Sequence, residues 1–133
     1  MTSLRSCRWH LPLLASVLLI GCSHQPPLYE VTGSVTFDGQ PIPEGDLLFI
    51  TPAGTRGPDP AKLAGGKYEL KTTAGKKRVE ISASKIRPGG ARGAGGEPVA
   101  EEYVPARYNI QSELTADVQA KGKNTFDFEL GSK

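Results

Sequence analysis

Apolar and polar residues alternate with period two over most of the chain after residue 28. Five segments show this spacing, within 31–37, 67–71, 78–83, 113–118 and 125–130. Alternation of this kind predicts strands that each bury one face. A sixth segment, Leu47–Ile50, is apolar at four consecutive positions, which favours a strand covered on both sides. Helical spacing does not compete with this pattern, so we expect an all-β domain.

The number of strands and the length of the domain predict a sandwich. A seventh strand is predicted around Val99–Val104, where Glu101 and Glu102 break the alternation. About 100 residues are enough for one hydrophobic core and too few for two. Strands with one apolar face must close their faces on each other, which predicts a single seven-stranded antiparallel β-sandwich.

Two segments fall outside the alternation. Residues 51–64 carry three prolines, and residues 85–98 carry five glycines, so both are predicted to be long loops that either bind a ligand or are mobile. In the last strand the alternation points Phe126 and Phe128 inward. Asp127 is expected to point outward, so that its replacement costs little stability.

The first 28 residues have the composition of an export signal. Arg5 and Arg8 precede the apolar stretch 11–20, and Leu19-Ile20-Gly21-Cys22 follows, an order that resembles the bacterial lipobox. The resemblance implies cleavage before Cys22 and attachment of a diacylglycerol to its sulfur. The alternatives are a plain secretory signal and a buried core helix at an ordinary N-terminus. The ten positions 11–20 would span about 15 Å as a helix, against a hydrocarbon core of roughly 30 Å, so a transmembrane helix is not expected.

These features divide the chain into three parts. Residues 1–21 are predicted to be the signal peptide, residues 22–28 the lipidated cysteine and spacer, and residues 29–133 the sandwich domain. The expected location is the bacterial cell envelope, with membrane association through the lipid. Ser23 at the second position after the cut permits outer-membrane sorting by the rule known for some Gram-negative bacteria.

Charge and residue types exclude several functions. Loss of Arg5 and Arg8 with the leader reduces the 16 basic residues to 14, equal to the 14 acidic residues. Net charge therefore gives no support for a polybasic patch that binds nucleic acid or anionic lipid. The two cysteines and two histidines all lie at or before residue 24, so residues 29–133 have no disulfide, no thiolate or imidazole metal site and no histidine-dependent triad.

Three segments in order resemble carboxypeptidase regulatory-like domains. They are V-T-G-S-V-T-F-D-G-Q-P-I-P-E-G (Val31–Gly45), G-G-K-Y-E-L (Gly65–Leu70) and A-G-K-K-R-V-E-I (Ala74–Ile81). The resemblance implies a transthyretin-like sandwich without catalytic activity or a cofactor. Lys77 departs from it, because the resembling strand often carries an inward aromatic residue there.

One polar and aromatic cluster is a candidate binding site. The stretch Tyr103–Asn109 is similar to one found in small single-domain lipoproteins. Its tyrosine rings are able to stack on a sugar or peptide, while Arg107 and Asn109 supply directional hydrogen bonds. The alternative is that Tyr103 and Tyr108 close one end of the sandwich and that Arg107 pairs with a nearby carboxylate.

Other candidates have plainer explanations. The glycine-rich run 89–96 lacks the Lys-Ser/Thr of a phosphate-binding loop. Asp38, Glu44, Asp46 and Asp59 match no calcium loop, so no metal site is predicted. Asp117 would share a sheet face with Asp127 or Glu129 only if their strands are neighbours. A pair of carboxylates formed in this way is the one basis for a carboxylate hydrolase.

The expected function is a non-catalytic envelope module with a structural or interaction role. Its partners would be the membrane and an envelope protein or glycan. A glycan- or peptide-binding module that uses the Tyr103–Asn109 surface and the long loops is the alternative. A hydrolase is a distant third.

Overall fold

The computed structural model describes residues 24–52, 54 and 56–133. The leader and Cys22 lie outside these residues. The described chain forms eleven strands: β1 (Leu28–Phe37), β2 (Gln40–Pro41), β3 (Glu44–Ile50), β4 (Asp59–Ala64), β5 (Lys67–Thr73), β6 (Gly75–Ser82), β7 (Ser84–Ile86), β8 (Ala100–Glu102), β9 (Thr115–Val118), β10 (Asn124–Thr125) and β11 (Phe128–Leu130). A short 3-10 helix spans Ala106–Tyr108. No helix in the described part of the chain is long and apolar enough to cross a membrane.

Nine strands form one curled sheet with two facing halves. In one half β1 pairs with β5, β2, β10 and β11; in the other, β3 pairs with β4 and β6, and β6 pairs with β9. The halves are joined at the β4–β5 hairpin, where Ala64 pairs with Lys67. Phe49 of β3 packs on Tyr68 of β5 with ring centroids 6.0 Å apart, and both side chains are buried. The predicted all-β, sandwich-like fold is therefore confirmed.

The first and last strands run in the same direction. β10 and β11 pair with β1 in parallel, with Val31 opposite Asn124 and Val35 opposite Phe128. The remaining strand pairs are antiparallel. The parallel pairing places the C-terminal segment beside β1 at the edge of its half. Short strands such as β2 and β10 raise the number of strands above the seven that the alternation suggests.

The proline-rich segment 51–64 is not a loop throughout, because its second half is strand β4. Asp59, Ala61 and Leu63 face inward in alternation with exposed neighbours. The alternation was not recognised in the sequence because two of the three inward positions hold an acidic residue, Asp59, and a small one, Ala61. Pro60 is tolerated because β4 pairs with β3 along its length but with β5 only near Ala64, which leaves one side of the strand open.

The glycine-rich segment 85–98 belongs to a two-stranded ribbon. β7 pairs with β8, with Ser84 opposite Glu102 and Ile86 opposite Ala100. Strand β8 therefore lies within the segment Val99–Val104 that was predicted as the seventh strand. Hydrogen bonds continue into the loop, where Val99 N donates to Ala91 O at 2.9 Å and Gly93 N donates to Glu97 O at 2.9 Å. The segment therefore has an internally hydrogen-bonded conformation.

The core lies between the two halves and follows the alternation closely. Its fully buried members come from five elements, β1, the β2–β3 turn, β3, β6 and β9: Val31, Val35, Ile42, Leu47, Phe49, Val79, Ile81 and Val118. Burial of one such side chain stabilises a fold by about 1.5–3 kcal/mol. Phe128 is also buried, whereas Phe126 is half-buried.

Candidate functional site

The structure separates Tyr103 from the rest of the predicted cluster. Tyr103 follows β8, and its half-buried ring meets Phe37 edge-on at 5.5 Å between centroids. The ammonium of Lys85 lies 4.9 Å from the centre of the same ring. Burial, with a smaller contribution from Glu102, raises the pKa of the Tyr103 hydroxyl. Tyr103 thus covers the core while one part of it reaches the surface.

Arg107 and Tyr108 lie on the 3-10 helix and contact the last residues of the chain. Arg107 Nη2 donates to the main-chain oxygens of Gly131 and Lys133. Tyr108 Oη accepts a hydrogen bond from Gly131 N at 3.2 Å. The Arg107 guanidinium also lies 4.9 Å from the centre of the Tyr108 ring. Main-chain oxygens therefore occupy the position in which the sequence suggested a side-chain carboxylate.

Asp38 completes the contacts to this C-terminal segment. Its Oδ1 accepts a hydrogen bond from Ser132 N at 2.9 Å, and it sits in the β1–β2 turn with φ of 48°. One side chain from the β1–β2 turn and two adjacent ones from the 3-10 helix thus bind the main chain of residues 131–133. We call Asp38, Arg107 and Tyr108 the tail clamp. Sequence reasoning included Arg107 and Tyr108 but did not connect Asp38 with them.

The hydrogen bonds of the tail clamp alter the acidity of Tyr108. The Gly131 N–H and then Arg107 favour the phenolate, and they lower the pKa of the Tyr108 hydroxyl. The hydroxyl accepts a hydrogen bond from Gly131 N, while Arg107 donates to the main-chain oxygens of the same segment. This arrangement is suited to binding an extended peptide backbone.

Asn109 has a local structural position. Its main-chain N donates to Ala106 O at 3.1 Å, and its main-chain O accepts from Ser112 N at 3.0 Å. Ser112 is buried and donates its hydroxyl to Val79 O on β6. Asn109 therefore helps to connect the 3-10 helix to the sheet.

An open groove lies beside Tyr103 between β2 and the β7–β8 ribbon. Its volume is about 950 Å³, and its lining includes Phe37, Pro41, Ile42, Ile86 and Tyr103. Ile86 is 60% exposed and contributes apolar surface to this groove. Of the predicted site residues, Tyr103 lines this groove, while Arg107, Tyr108 and Asn109 do not.

A buried polar cluster around Lys77 was not predicted as a site. The Lys77 side chain points inward and is 1% exposed, and its Nζ donates to Thr51 Oγ1 and Thr73 Oγ1, each at 2.7 Å. Burial lowers the pKa of Lys77, Asp59 opposes that effect and Arg56 adds to it. The sequence contained one indication that Lys77 is buried: it lies two residues before Val79, on the inward-facing side of the same alternating strand.

Asp59 forms the acidic part of the same cluster. Its carboxylate accepts from Arg56 Nη2 at 2.9 Å and from Thr72 Oγ1 at 2.6 Å. Thr72 is fully buried and Asp59 is nearly so. Because each buried group has a hydrogen-bond partner, the cluster avoids the cost of unpaired polar atoms inside a protein.

The remaining acidic candidates lie apart or bind the main chain. Asp117 is on β9, which pairs with β6, whereas Asp127 and Glu129 lie beside β1 in the other half of the sheet. Glu102 Oε1 accepts from Ala83 N at 2.8 Å and from Val104 N at 3.1 Å. In the described residues no three metal-binding side chains come together, and Asp46 forms an ion pair with Lys62.

Comparisons with known proteins found similarity at the level of structure. No family model matches the chain, and no curated protein matches it. A crystal structure of a DUF3823 family protein from Parabacteroides merdae is 16% identical, with a TM-score of 0.43, and the match covers 79% of this chain and 46% of that one. A 9R-lipoxygenase from Cyanothece is 15% identical, with a TM-score of 0.38, and the match covers 78% of this chain and 16% of the lipoxygenase. The matched region is thus less than half of either neighbour.

Proposed function

We propose that the chain is a membrane-anchored bacterial lipoprotein whose sandwich is a carboxypeptidase regulatory-like, transthyretin-like domain. In this proposal the domain has no catalytic activity and acts as a structural or interaction module of the cell envelope. The observation that carries the proposal is the lipobox order ending at Cys22, followed after a short spacer by strand β1.

The spacer supports a tethered domain. Residues 24–27 are exposed, and β1 begins at Leu28, six residues after Cys22. An extended chain advances about 3.3–3.6 Å per residue, so Leu28 lies within about 20 Å of the lipidated cysteine. Pro26 and Pro27 favour an extended, semi-rigid conformation of this segment.

The contacts of the polar side chains support a structural or interaction role. Arg107, Tyr108 and Asp38 bind the main chain of the C-terminal segment, and Glu102 binds main-chain N–H groups beside β8. Asp59 and Lys77 have buried partners within the fold. These groups are engaged in holding segments of the chain together, while the groove beside Tyr103 offers apolar surface.

Intact-mass measurement of protein purified from bacterial membranes tests the anchor. Wild type and Cys7→Ser should lack residues 1–21 and carry the mass of the acyl groups. Cys22→Ser should carry no acyl mass, and Cys7→Ser is the matched control because Cys7 lies within the leader. A wild-type mass equal to that of the unmodified chain would refute the lipoprotein proposal.

Peptide binding is a second candidate, favoured by the tail clamp. Arg107, Tyr108 and Asp38 bind residues 131–133 through main-chain atoms alone, so another extended peptide could make the same contacts. A labelled peptide with the sequence of residues 129–133 should bind a chain that ends at Leu130 more tightly than the full chain. Arg107→Ala should remove this binding and Lys85→Ala should not. Equal signals from all four proteins would exclude the candidate.

A further inference from the structure

The end of the sandwich at which β1 begins also carries the β3–β4 connection, where Thr51 and Thr73 share the Lys77 ammonium, together with two other connections. Leu28 pairs with Thr73, and Gly75 pairs with Val118, so the β5–β6 turn and the start of the β9–β10 loop lie beside the first residue of β1. The loop 119–123 then returns to β10 next to Val31. We call this set, formed by Leu28, the turn 73–75 and the loop 119–123, the tethered end.

Four of the exposed lysines lie at or beside the tethered end. Lys71, Lys76, Lys121 and Lys123 are exposed, and none forms an ion pair with a described residue. Glu30 lies opposite Lys71 in the β1–β5 ladder, and Asp117 lies opposite Lys76 in the β6–β9 ladder. These two acidic residues balance the strand lysines, which leaves the two lysines of the loop as the excess positive charge.

The loop that carries Lys121 and Lys123 is closed at its base by hydrogen bonds. Asn124 Oδ1 accepts from Gln119 N at 2.7 Å, and Asn124 Nδ2 donates to Gln119 O at 3.0 Å. Asn124 itself is buried. This pair of hydrogen bonds holds the two lysines at the tip of a defined turn. Leu28, 47% exposed, adds apolar surface at the same end.

The position of the spacer places this end close to the membrane. The spacer reaches about 20 Å at most. A ten-residue strand such as β1 is about 33 Å long, so the opposite end of the sandwich lies much farther from the anchor. Lysines near an anionic bilayer gain favourable energy, and the attraction decays over a screening length of about 10 Å.

We propose that the tethered end docks on anionic lipid headgroups of the membrane that holds the anchor. Lys121 and Lys123 face the headgroup phosphates, and Leu28 lies at the interface. The inference rests on the proposed lipid anchor, which keeps these charges within range of the surface. It defines an orientation in which the groove beside Tyr103 and the tail clamp point away from the bilayer.

Fluorescence quenching on vesicles tests this orientation. Acylated mature protein is labelled at Ala120→Cys in the tethered end or at Ala64→Cys near the opposite end, and each is placed on vesicles that contain a headgroup-attached quencher. On vesicles of equal phosphatidylcholine and phosphatidylglycerol, the label at residue 120 should be quenched more strongly than that at residue 64. High salt should reduce the difference. Lys121→Glu with Lys123→Glu should reduce the ratio of docked to free domain by roughly thirtyfold or more, the factor that two lysines at ~1 kcal/mol each supply.

Matched variants and neutral vesicles separate the outcomes. Lys62→Glu with Lys67→Glu, near the opposite end, should leave the quenching pattern unchanged. Equal quenching of the two labels on anionic vesicles, or no effect of reversing Lys121 and Lys123, would overturn the docking proposal while leaving the anchor intact. Protein that fails to remain on pure phosphatidylcholine vesicles has no working anchor, and that result would overturn the proposed function together with the orientation.

Discussion

At the scale of single residues, Gly33 marks the closest approach of the C-terminal segment to β1. A Cβ at this position would lie 1.8 Å from Phe126 O and 2.8 Å from Tyr68 Oη. The obstacle is partly main chain, and Tyr68 Oη already donates to Phe126 O at 2.7 Å. Only glycine therefore fits between these groups.

Gly33→Ala should destabilise the protein through this overlap. Overpacking commonly costs about 1–3 kcal/mol of unfolding free energy. Because the added methyl group would meet main-chain atoms, we expect a loss of about 3 kcal/mol or more. Urea denaturation followed by circular dichroism measures it. Gly57→Ala is the control, because a Cβ added at Gly57 would have no atom within 4 Å. Equal midpoints for the two variants would contradict the close approach.

Lys77 gives a pH-dependent prediction at the same scale. Burial lowers the pKa of the folded-state lysine, whereas the unfolded chain keeps a value near 10.4. Between these two values the unfolded state binds more protons, so this group makes unfolding less favourable as pH rises. Wild type should therefore gain stability relative to Lys77→Met as the pH rises from neutral toward 10.

Denaturant midpoints at a series of pH values measure this difference. Lys76→Met is the matched control, because Lys76 is exposed beside the buried lysine. Its difference from wild type should stay nearly constant with pH. A constant difference for Lys77→Met as well would show that Lys77 titrates normally in the folded protein.

At the scale of elements, Asp127 joins β1 to the last strand. The β1–β10 and β1–β11 ladders are interrupted at residues 126–127, and there Ser34 N and Ser34 Oγ both donate to Asp127 Oδ1 at 2.8 Å. Asp127 thus supplies an acceptor that the alternation did not indicate, so we now expect its replacement to cost more stability than its outward direction suggests. A side chain can point outward and still supply the acceptor that a strand requires.

Asp127→Ala should cost about 1–2 kcal/mol, because Ser34 loses its acceptor. Asp127→Asn keeps an oxygen acceptor and should recover part of the loss. Glu129→Ala, on the neighbouring exposed position, should stay within about 0.5 kcal/mol of wild type. Thermal and urea denaturation of the three variants measure these values, and an equal effect of Asp127→Ala and Glu129→Ala would rule out the acceptor role.

At the scale of the whole molecule, both halves of the sheet share one core. Phe49 is fully buried on β3 and packs against Tyr68 of the facing half. A single core of this kind is expected to unfold cooperatively. The β4–β5 hairpin connects the halves, and the parallel pairing of β1 with β10 and β11 brings the two ends of the domain together.

Phe49→Ala should cost about 3–5 kcal/mol because it opens a cavity between the halves. Tyrosine fluorescence and far-ultraviolet circular dichroism should report the same lowered midpoint, since the halves lose stability together. Ile110→Ala, at a position 72% exposed, serves as the control and should change little. Separate midpoints for the two probes would show that the halves unfold independently.

The strand faces were predictable because alternation is a local property of the chain. Val31, Val35, Val79 and Ile81 are buried as their spacing requires. β4 was missed because Asp59 and Ala61 occupy inward positions that normally hold large apolar residues. In the candidate site, Arg107 and Tyr108 were predicted as binding residues because of their polar and aromatic side chains. Their contacts with residues 131–133 were not predictable, because these residues lie more than twenty positions away in the sequence.

The amino-acid sequence by itself determined that the domain is all-β, which residues of its alternating strands face the core and that no histidine or cysteine chemistry occurs after residue 24. Only the tertiary structure decided that the last strand lies parallel to β1, that Lys77 has threonine partners, and that Asp38 joins Arg107. The physical reason is the range of the interactions. Alternation with period two specifies which side of a strand is buried. Which strand pairs with a sheet edge, and which group hydrogen-bonds to a buried polar side chain, depends on how strands distant in sequence pack together.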